Sequence, residues 1–390
     1  MEVYELMVCP TTESHPRYGE GAVLPLANGD LFMAYGEFYA SDSGDMGAAH
    51  VMGRISRDRG RTWGDPYELV ANDCITVFSV SLLRLPSGRI LLGYLRKEAV
   101  GEGGLDRQGK KRASCVPWFR YSDDEGRTWS EPWMMDAARR TDYWVLNNDR
   151  LVLHASGRLL APIAVSKPRG PSDPYHCSST CVYSDDDGRT WTRSQTTLEL
   201  EAMDGLQEPG LVELQDGSLM MFMRTSLGHQ FRSVSQDRGE TWSEAEPVPE
   251  FIAPVSPVSV KRIPSTGDLL AVFNKTYDPL GCPRPSTMGW RTPLTASLSR
   301  DDGKTWPLLR NIENDPKLNF DYVSITFLED EEEVLLTYHM TKFFPQIDKH
   351  RRNLKLKILP VPWFYEDSGS GKTELPASWL PPTWPPSQEE

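Results

Sequence analysis

Ser56-Arg-Asp58-Arg-Gly60-Arg-Thr62-Trp63 is the first of five copies of one eight-residue phrase, Ser-x-Asp-x-Gly-x-Thr-Trp. The other copies occupy residues 122–129, 184–191, 235–242 and 299–306, and no fixed position is substituted in any of them. We call each copy a box. Because so specific a pattern does not recur five times by chance in 390 residues, the chain is predicted to be an array of similar units.

The residue types of the box predict a turn. Ser and Asp side chains accept hydrogen bonds from nearby backbone N–H groups, Gly supplies a positive φ, and Thr-Trp restarts an extended segment. Turn chemistry therefore explains every fixed position. We interpret the five aspartates as staples of their turns rather than as metal ligands or catalytic acids; they are Asp58, Asp124, Asp186, Asp237 and Asp301.

A second repeat alternates with the boxes. It consists of an apolar run, a short turn and another apolar run, and it occurs at residues 23–35, 82–94, 151–162, 211–223, 260–273 and 325–338. Each copy predicts a β-hairpin. One hairpin and a box-bearing second pair of strands make a four-stranded unit, so the six units predict an all-β fold, a six-bladed β-propeller.

The sixth unit has no box, and the chain after it offers only residues 354–361 as a further strand. Residues 3–8 are a suitable partner for that unit, and pairing them with it would remove an exposed sheet edge. We therefore expect the propeller to span residues 1–364. Residues 365–390 are rich in Pro and Ser and are expected to form a C-terminal tail.

Composition narrows the classes of function. A net charge of −13 argues against a nucleic-acid partner, and an acidic ligand would need locally clustered arginines. The six cysteines are scattered without zinc-type pairing, and neither a metal nor another cofactor is expected. No stretch resembles a signal peptide or a membrane span, so a cytoplasmic location without membrane contact is expected.

Propeller geometry predicts where a site would lie. The first strand of each hairpin begins at one rim of the central channel and the second strand returns there, so both ends of the hairpins line one pocket. The residues so placed are Arg17 to Glu20 opposite Glu37, Phe78 opposite Arg96, Asn148 and its neighbours opposite Ser166, Glu208 opposite Arg224, Pro257 opposite Asn274, and Tyr322 opposite His339. Converging carboxylates, arginines and a tyrosine are typical of glycosidase and acid-recognition sites, although each residue alone is explained as well by a rim ion pair.

The chain resembles a known family at these residues. The boxes resemble the Asp-box, or bacterial neuraminidase repeat, and residues from about 15 to 363 resemble the sialidase superfamily. Residues 207–224 are the most specific part, because they are similar to the sialidase segment that carries the catalytic glutamate and one binding arginine. The resemblance places Glu208 and Arg224 in these two roles.

Three further positions follow from the resemblance. Tyr322, at the start of the sixth hairpin, matches the tyrosine nucleophile, and Asp45 lies where sialidases keep the acid/base aspartate. Arg291, ahead of the fifth box, matches another binding arginine. The resemblance implies a retaining exo-glycosidase that releases a terminal acidic sugar from an oligosaccharide or glycoconjugate. Glu208 would serve as base to Tyr322, and the arginines would hold the sugar carboxylate.

One segment departs from the family. Sialidases open with Phe/Tyr-Arg-Ile-Pro, whereas this chain has His15-Pro-Arg17-Tyr-Gly-Glu20. Arg17 lies two residues farther from the hairpin turn than expected, and Glu20 lies closer to the expected position. If Glu20 faces the pocket, a sugar carboxylate would meet another carboxylate. Arg96, with Lys97, could supply the missing charge, and the sugar could be another ulosonic acid, a uronic acid or a neutral sugar.

Two other functions stay open. A lyase acting on uronic-acid polysaccharides would need a Tyr/His pair, which Tyr322 could form with His339 or His176. A non-catalytic carbohydrate-binding propeller would make the matches at Asp45, Glu208 and Tyr322 coincidental.

Overall fold

A computed structural model of the protein describes residues 3–40, 44–100, 113–166, 176–201, 204–275, 291–315, 317–328, 332–342 and 351–366. The described chain is built of β-strands, together with two short 3₁₀ helices at Ala137–Arg139 and Val361–Tyr365. The all-β prediction is confirmed. No helix in the described ranges is long and apolar enough to cross a membrane. The tail predicted at residues 365–390 lies almost wholly outside the described residues.

The strands follow one another as antiparallel neighbours along the chain. The first nine are β1 Tyr4–Cys9, β2 Arg17–Pro25, β3 Leu31–Phe38, β4 Ala49–Ser56, β5 Tyr67–Val70, β6 Thr76–Arg84, β7 Ile90–Ala99, β8 Ala113–Ser122 and β9 Trp133–Met134. The next nine are β10 Trp144–Val145, β11 Val152–Leu153, β12 Leu159–Ser166, β13 Cys177–Ser184, β14 Thr192–Arg193, β15 Gln207–Glu213, β16 Leu219–Arg224, β17 His229–Ser235 and β18 Glu246–Ile252. The last seven are β19 Ser259–Arg262, β20 Leu269–Asn274, β21 Leu294–Ser299, β22 Leu308–Glu313, β23 Leu318–Phe327, β24 Glu333–Lys342 and β25 Arg352–Pro360.

These strands form successive sheets in a propeller-like arrangement. Strands β6 to β9, β15 to β18 and β19 to β22 make three four-stranded sheets in chain order. The sheet of β10, β12, β13 and β14 has a fifth strand, because β10 and β11 are two pieces that both pair with β12. All six predicted hairpins are present, at β2–β3, β6–β7, β11–β12, β15–β16, β19–β20 and β23–β24.

The first and last units join into one eight-stranded sheet. Strand β1 pairs with β25, Tyr4 lying opposite Ile358, which confirms the predicted closure by residues 3–8. Strand β2 also meets β25, in a single parallel pair of Arg17 with Arg352. The prediction of six separate four-stranded sheets is wrong in its count, because this pair fuses two units and leaves five sheets among the described residues.

Each sheet is covered on both faces. In β20, Leu269 and Ala271 contact the preceding unit, while Leu270 and Val272 contact the following one. All four side chains are fully buried. A strand buried on both faces needs an apolar residue at every position, which explains the near-continuous apolar runs of the hairpins.

The five boxes make one repeated turn after the third strand of a unit. In the first box the Ser56 hydroxyl donates to Asp58 and accepts from the Gly60 N–H at 2.8 Å. Asp58 in turn accepts from the Thr62 N–H at 2.8 Å and the Thr62 hydroxyl. The other four boxes repeat this network. The aspartates are therefore staples of turns, as predicted, although their backbone partners lie four residues on.

The box also holds two consecutive residues in the left-handed region. The glycine has φ near +85°, for example 87° at Gly60, and the residue before it is left-handed too, for example Arg59 at 62°. A non-glycine residue adopts this conformation at a cost, which the hydrogen bonds of the box offset. The tryptophan that follows fixes the turn to the apolar core.

The box tryptophans are predicted to differ in their contribution to stability. Trp306 is 2% exposed and packs on Phe251 with ring centroids 4.8 Å apart, whereas Trp63 is only partly buried. Trp306→Ala should lower the free energy of unfolding by about 3–5 kcal/mol, and Trp63→Ala by less, because a smaller apolar surface is lost. Urea unfolding of the two variants measures the difference. Equal losses would contradict the unequal burial.

The aspartates of the boxes should make the stability of the folded protein sensitive to low pH. Hydrogen bonds from the Thr side chain and backbone lower the pKa of Asp124 and Asp301 from 3.8 to about 2. Since the folded pKa is below the unfolded one, their contribution to stability is complete above about pH 4 and is lost as the pH falls towards 2. The double variant Asp124→Asn/Asp301→Asn should melt lower than wild type at pH 6 and show a shallower fall between pH 4 and 2. Asp123→Asn, at a neighbouring exposed carboxylate, is the control. Parallel pH curves for the double variant and wild type would refute this assignment.

Candidate active site

A repeated β-bulge aims side chains from the first strand of the hairpins. Strands β2, β6, β15 and β23 each slip by one residue against their partner, between Gly19/Ala22, Phe78/Ser81, Gln207/Gly210 and Asp321/Ser324. The first residue of each bulge has a left-handed backbone conformation: Glu20 (φ 49°), Ser79 (59°), Glu208 (44°) and Tyr322 (55°). Bulges redirect side chains, and left-handed non-glycine residues cluster at functional sites. Two of the three predicted catalytic residues occupy this position.

Tyr322 and Glu208 meet across the site. The Tyr322 hydroxyl donates a hydrogen bond of 2.7 Å to Glu208 Oε1. Arg224 Nη1 donates to Glu208 Oε2 at 2.6 Å and lies 3.5 Å from the Tyr322 oxygen. Burial and the neighbouring Glu208 charge raise the pKa of Tyr322 well above its ordinary value. The hydroxyl is thus a neutral phenol whose proton points at a carboxylate.

A second ion-pair group lies on the other side of Tyr322. Arg291 binds Asp321 through Nη1 at 2.6 Å and the carbonyl of Val255 through Nη2 at 2.8 Å, and its guanidinium lies 5.7 Å from the centre of the Tyr322 ring. Burial alone would raise the pKa of Asp321, but Arg291 and His339 outweigh it and hold the pKa well below its usual range.

His339 packs against Tyr322 without reaching solvent. It is 1% exposed, its Nδ1 is 2.9 Å from Asp321, and its ring centroid lies 5.4 Å from that of Tyr322. Burial lowers the pKa of His339. A Cβ at Gly19 would lie 1.9 Å from His339 Nε2, so only glycine fits there. The lyase hypothesis gains no accessible base at this position.

Arg17 and Glu20 both belong to the site, and they bind each other. Arg17 is 1% exposed, and its Nη2 donates to Glu20 Oε1 while Nη1 donates to Asp45 Oδ1 at 2.7 Å. The guanidinium also stacks on Phe38, 4.2 Å from the ring centre. The negative charge of Glu20 is therefore balanced by Arg17, so a bound ligand would not meet an unpaired carboxylate at this position.

Asp45 lies beside Arg17 and is exposed to solvent. Its side chain touches Arg17 and is 66% exposed. The Lys97 ammonium donates to the Asp45 backbone carbonyl at 2.8 Å. Partial desolvation would raise the pKa of Asp45, but the charges of Arg17, Lys97 and Arg352 hold it well below its ordinary value.

Two residues predicted to bind the ligand, Arg96 and Asn148, have hydrogen-bond partners within the protein. Arg96 binds Asp73 and Glu98 and does not contact Arg17, Asp45, Glu208 or Tyr322. Successive side chains of a strand point to opposite faces of the sheet, so its neighbour Lys97 points towards Asp45 instead. Asn148 is central but buried, and its amide donates to the backbone carbonyls of Gly21 and Tyr322. Its amide therefore helps to hold the backbone of Tyr322 in place.

Three residues outside the predicted set of site residues also lie in this group of charges, although the sequence named Lys97 as a companion of Arg96. Lys97 and Arg352 act electrostatically on Asp45, and Asp321 acts on Arg291 and Arg352. Two of them could have been predicted from the sequence because they adjoin predicted site residues: Lys97 follows Arg96, and Asp321 precedes Tyr322. Arg352 follows only from the pairing of β25 with β2. Among the described residues no group of His, Cys, Asp and Glu is arranged to hold a metal ion.

Several sialidases are similar to this chain. The sialidase of Paraclostridium sordellii is 24% identical over 245 residues, covering 57% of this chain and 56% of the relative. That of Micromonospora viridifaciens is 26% identical over 347 residues, covering 82% and 49%. The chain thus spans about half the length of the curated relatives it matches.

Solved structures share the fold at lower identity. A sialidase from Streptococcus pneumoniae superposes with a TM-score of 0.69 at 14% identity, over 92% of this chain and 70% of that one. A leech intramolecular trans-sialidase gives 0.70 at 16%, over 91% and 70%. A Dyadobacter fermentans protein of unknown function gives 0.70 at 18%, over 92% and 99%.

Family membership rests on a longer match. The BNR repeat-like domain family matches residues 83–334, which is more than half of the chain. The chain belongs to this family, within the superfamily of sialidases and BNR-repeat proteins.

Proposed function

We propose that the protein is a sialidase-like exo-glycoside hydrolase that releases a terminal acidic sugar with retention of configuration. The observation that carries this proposal is the 2.7 Å hydrogen bond from the Tyr322 hydroxyl to Glu208, with Arg224 held on the same carboxylate. A phenol joined to a general base is the arrangement that an activated tyrosine nucleophile requires.

The proposed first step starts from the neutral phenol. Because the pKa of Tyr322 is raised, the hydroxyl keeps its proton until Glu208 accepts it. The Tyr322 oxygen would then bond to the anomeric carbon as the bond to the leaving oxygen breaks, and Asp45 would protonate that oxygen. In the second step water, deprotonated by Asp45, would release the sugar from Tyr322, and the phenolate would recover its proton from Glu208.

Asp45 needs a ligand to perform its part. Arg17, Lys97 and Arg352 keep it ionised in the free protein, whereas a general acid must carry a proton. An anionic sugar would offset these cations and allow the pKa of Asp45 to rise. The acid would then become competent only when a charged substrate is bound.

An acidic sugar suits the local charge. Five cations face the pocket region, namely Arg17, Lys97, Arg224, Arg291 and Arg352, against four carboxylates, namely Glu20, Asp45, Glu208 and Asp321. This excess contrasts with the net charge of −13 for the whole chain. Oligosaccharides or glycoconjugates ending in such a sugar are the expected substrates, and the sialidase names of the relatives agree with this class.

We also infer six blades for the propeller. Six apolar clusters separate consecutive units, and the sixth returns from the last unit to the first. Dividing the eight-stranded sheet at the Arg17–Arg352 pair gives two units of four strands each. Six interfaces around a closed ring correspond to six blades.

Loss of either half of the nucleophile pair should abolish turnover. Glu208→Gln and Tyr322→Phe should each lower kcat by roughly 10²-fold or more, because one removes the base and the other the nucleophile. The assay is release of the aryl group from glycosides of sialic, other ulosonic, uronic and neutral sugars. Glu246→Gln and Tyr183→Phe, two residues outside the site, are the matched controls.

The product separates hydrolysis from elimination. Hydrolysis yields a free reducing sugar, whereas a lyase would form an unsaturated uronate that absorbs in the ultraviolet. Full turnover in both Glu208→Gln and Tyr322→Phe would exclude the proposed mechanism, and an unsaturated product lost in Tyr322→Phe would favour the lyase.

A further inference from the structure

Arg352 occupies a distinctive place beside the site. It is the first residue of β25, where it lies opposite Thr341 of β24 on one side and Arg17 of β2 on the other. Its backbone N–H donates to the Pro16 carbonyl at 3.0 Å, which fixes the position of its Cα. The residue is partly exposed, in contrast to Arg17, which is 1% exposed.

The other arginines of the site are already bound to carboxylates. Arg17 bridges Glu20 and Asp45, Arg224 binds Glu208, and Arg291 binds Asp321. No hydrogen-bond or ion-pair partner of the Arg352 guanidinium is found among the described residues; only longer-range charges act on it. Among the described residues, Arg352 is therefore the arginine of the site whose guanidinium has no hydrogen-bond partner in the protein.

The surroundings of Arg352 favour an anion. The positive charge of Arg17 is the main cause that lowers the pKa of Arg352, and burial adds to it. Two guanidinium groups close together in a partly desolvated pocket repel each other, and a bound anion removes that cost. Asp45, Asp321 and Tyr322 are near enough for their charges to act on Arg352, so an anion there would also adjoin the reacting groups.

We propose that Arg352 binds the anionic group of the ligand, while Arg17 is a positioning residue that holds Asp45 and Glu20. This inference rests on the proposed function, because it assigns a charge-recognition residue to the same site. Arg17 cannot take this role, since both of its terminal nitrogens bind carboxylates and its side chain is enclosed. Arg352 has five N–H donors in a planar fork, which fits a carboxylate in a bidentate manner.

The kinetic test is Arg352→Gln with 4-methylumbelliferyl N-acetylneuraminate as the probe, or with the acidic aryl-glycoside that the wild type cleaves best. KM should rise roughly ten- to a hundredfold, because charge-assisted hydrogen bonds to the bound substrate are lost. Arg352→Lys, which keeps the charge but not the fork, should recover part of the loss. Arg351→Gln is the matched control, since it removes the same charge from the exposed neighbouring residue.

A binding test separates this inference from the hydrolase proposal. Calorimetric titration of wild type and Arg352→Gln would use N-acetylneuraminic acid, glucuronic acid and their neutral methyl esters. Only the acids should bind roughly ten- to a hundredfold more weakly to the variant, and the melting temperature of each protein checks its fold.

Each outcome decides one claim. Wild-type turnover with unchanged KM and unchanged acid binding in Arg352→Gln would overturn the role of Arg352 and leave the hydrolase intact. Arg352-dependent acid binding without turnover of any glycoside would support Arg352 and overturn the hydrolase. Failure of the wild type to bind either acid, or equal losses for acids and esters, would overturn the charge-recognition role.

Discussion

The structure depends on the closure of the ring where β25 meets β1 and β2. Strand β1 extends the sheet of the last unit, and the parallel pair of Arg17 with Arg352 joins that sheet to the first unit. Without this contact, the apolar cluster between the two units would be open to water, and β25 would have an unpaired edge. The same contact brings two arginines that are far apart in sequence to one side of Tyr322. The contact that closes the ring therefore also places Arg352 beside Arg17.

The bulge in the first strand of the hairpins explains how a rigid scaffold carries different chemistry in each unit. Its left-handed residue is Glu20, Ser79, Glu208 or Tyr322 in four units, on almost the same backbone. The surrounding ladder hydrogen bonds and the packed faces of each sheet hold this unfavourable conformation in place. Repetition of the backbone with variation of one side chain lets Glu208 and Tyr322, from different units, form a hydrogen bond of 2.7 Å.

Charge is distributed differently in the pocket and in the whole molecule. The chain has a net charge of −13, yet the pocket has more cations than carboxylates, and most of its arginines are held in ion pairs. Partial burial strengthens these pairs, and it makes an unpaired cation such as Arg352 costly. In the proposed function, an anionic ligand would offset part of this positive charge, and its binding would therefore favour protonation of Asp45.

The repeating units, the hairpins and the box turns could be predicted from the sequence, because local hydrogen bonds and the spacing of apolar residues specify them. The sequence also indicated Glu208, Tyr322, Arg17 and Asp45, since each lies near a predictable strand end. It did not show the protein partners of Arg96 and Asn148, because the direction of a side chain depends on the register and bulges of each strand. The folded structure was needed to show that Arg17 is enclosed by Glu20 and Asp45. It was also needed to place Arg352 beside the site, because this follows from a contact between strands more than three hundred residues apart. Long-range pairing of this kind leaves no local pattern for a sequence to display.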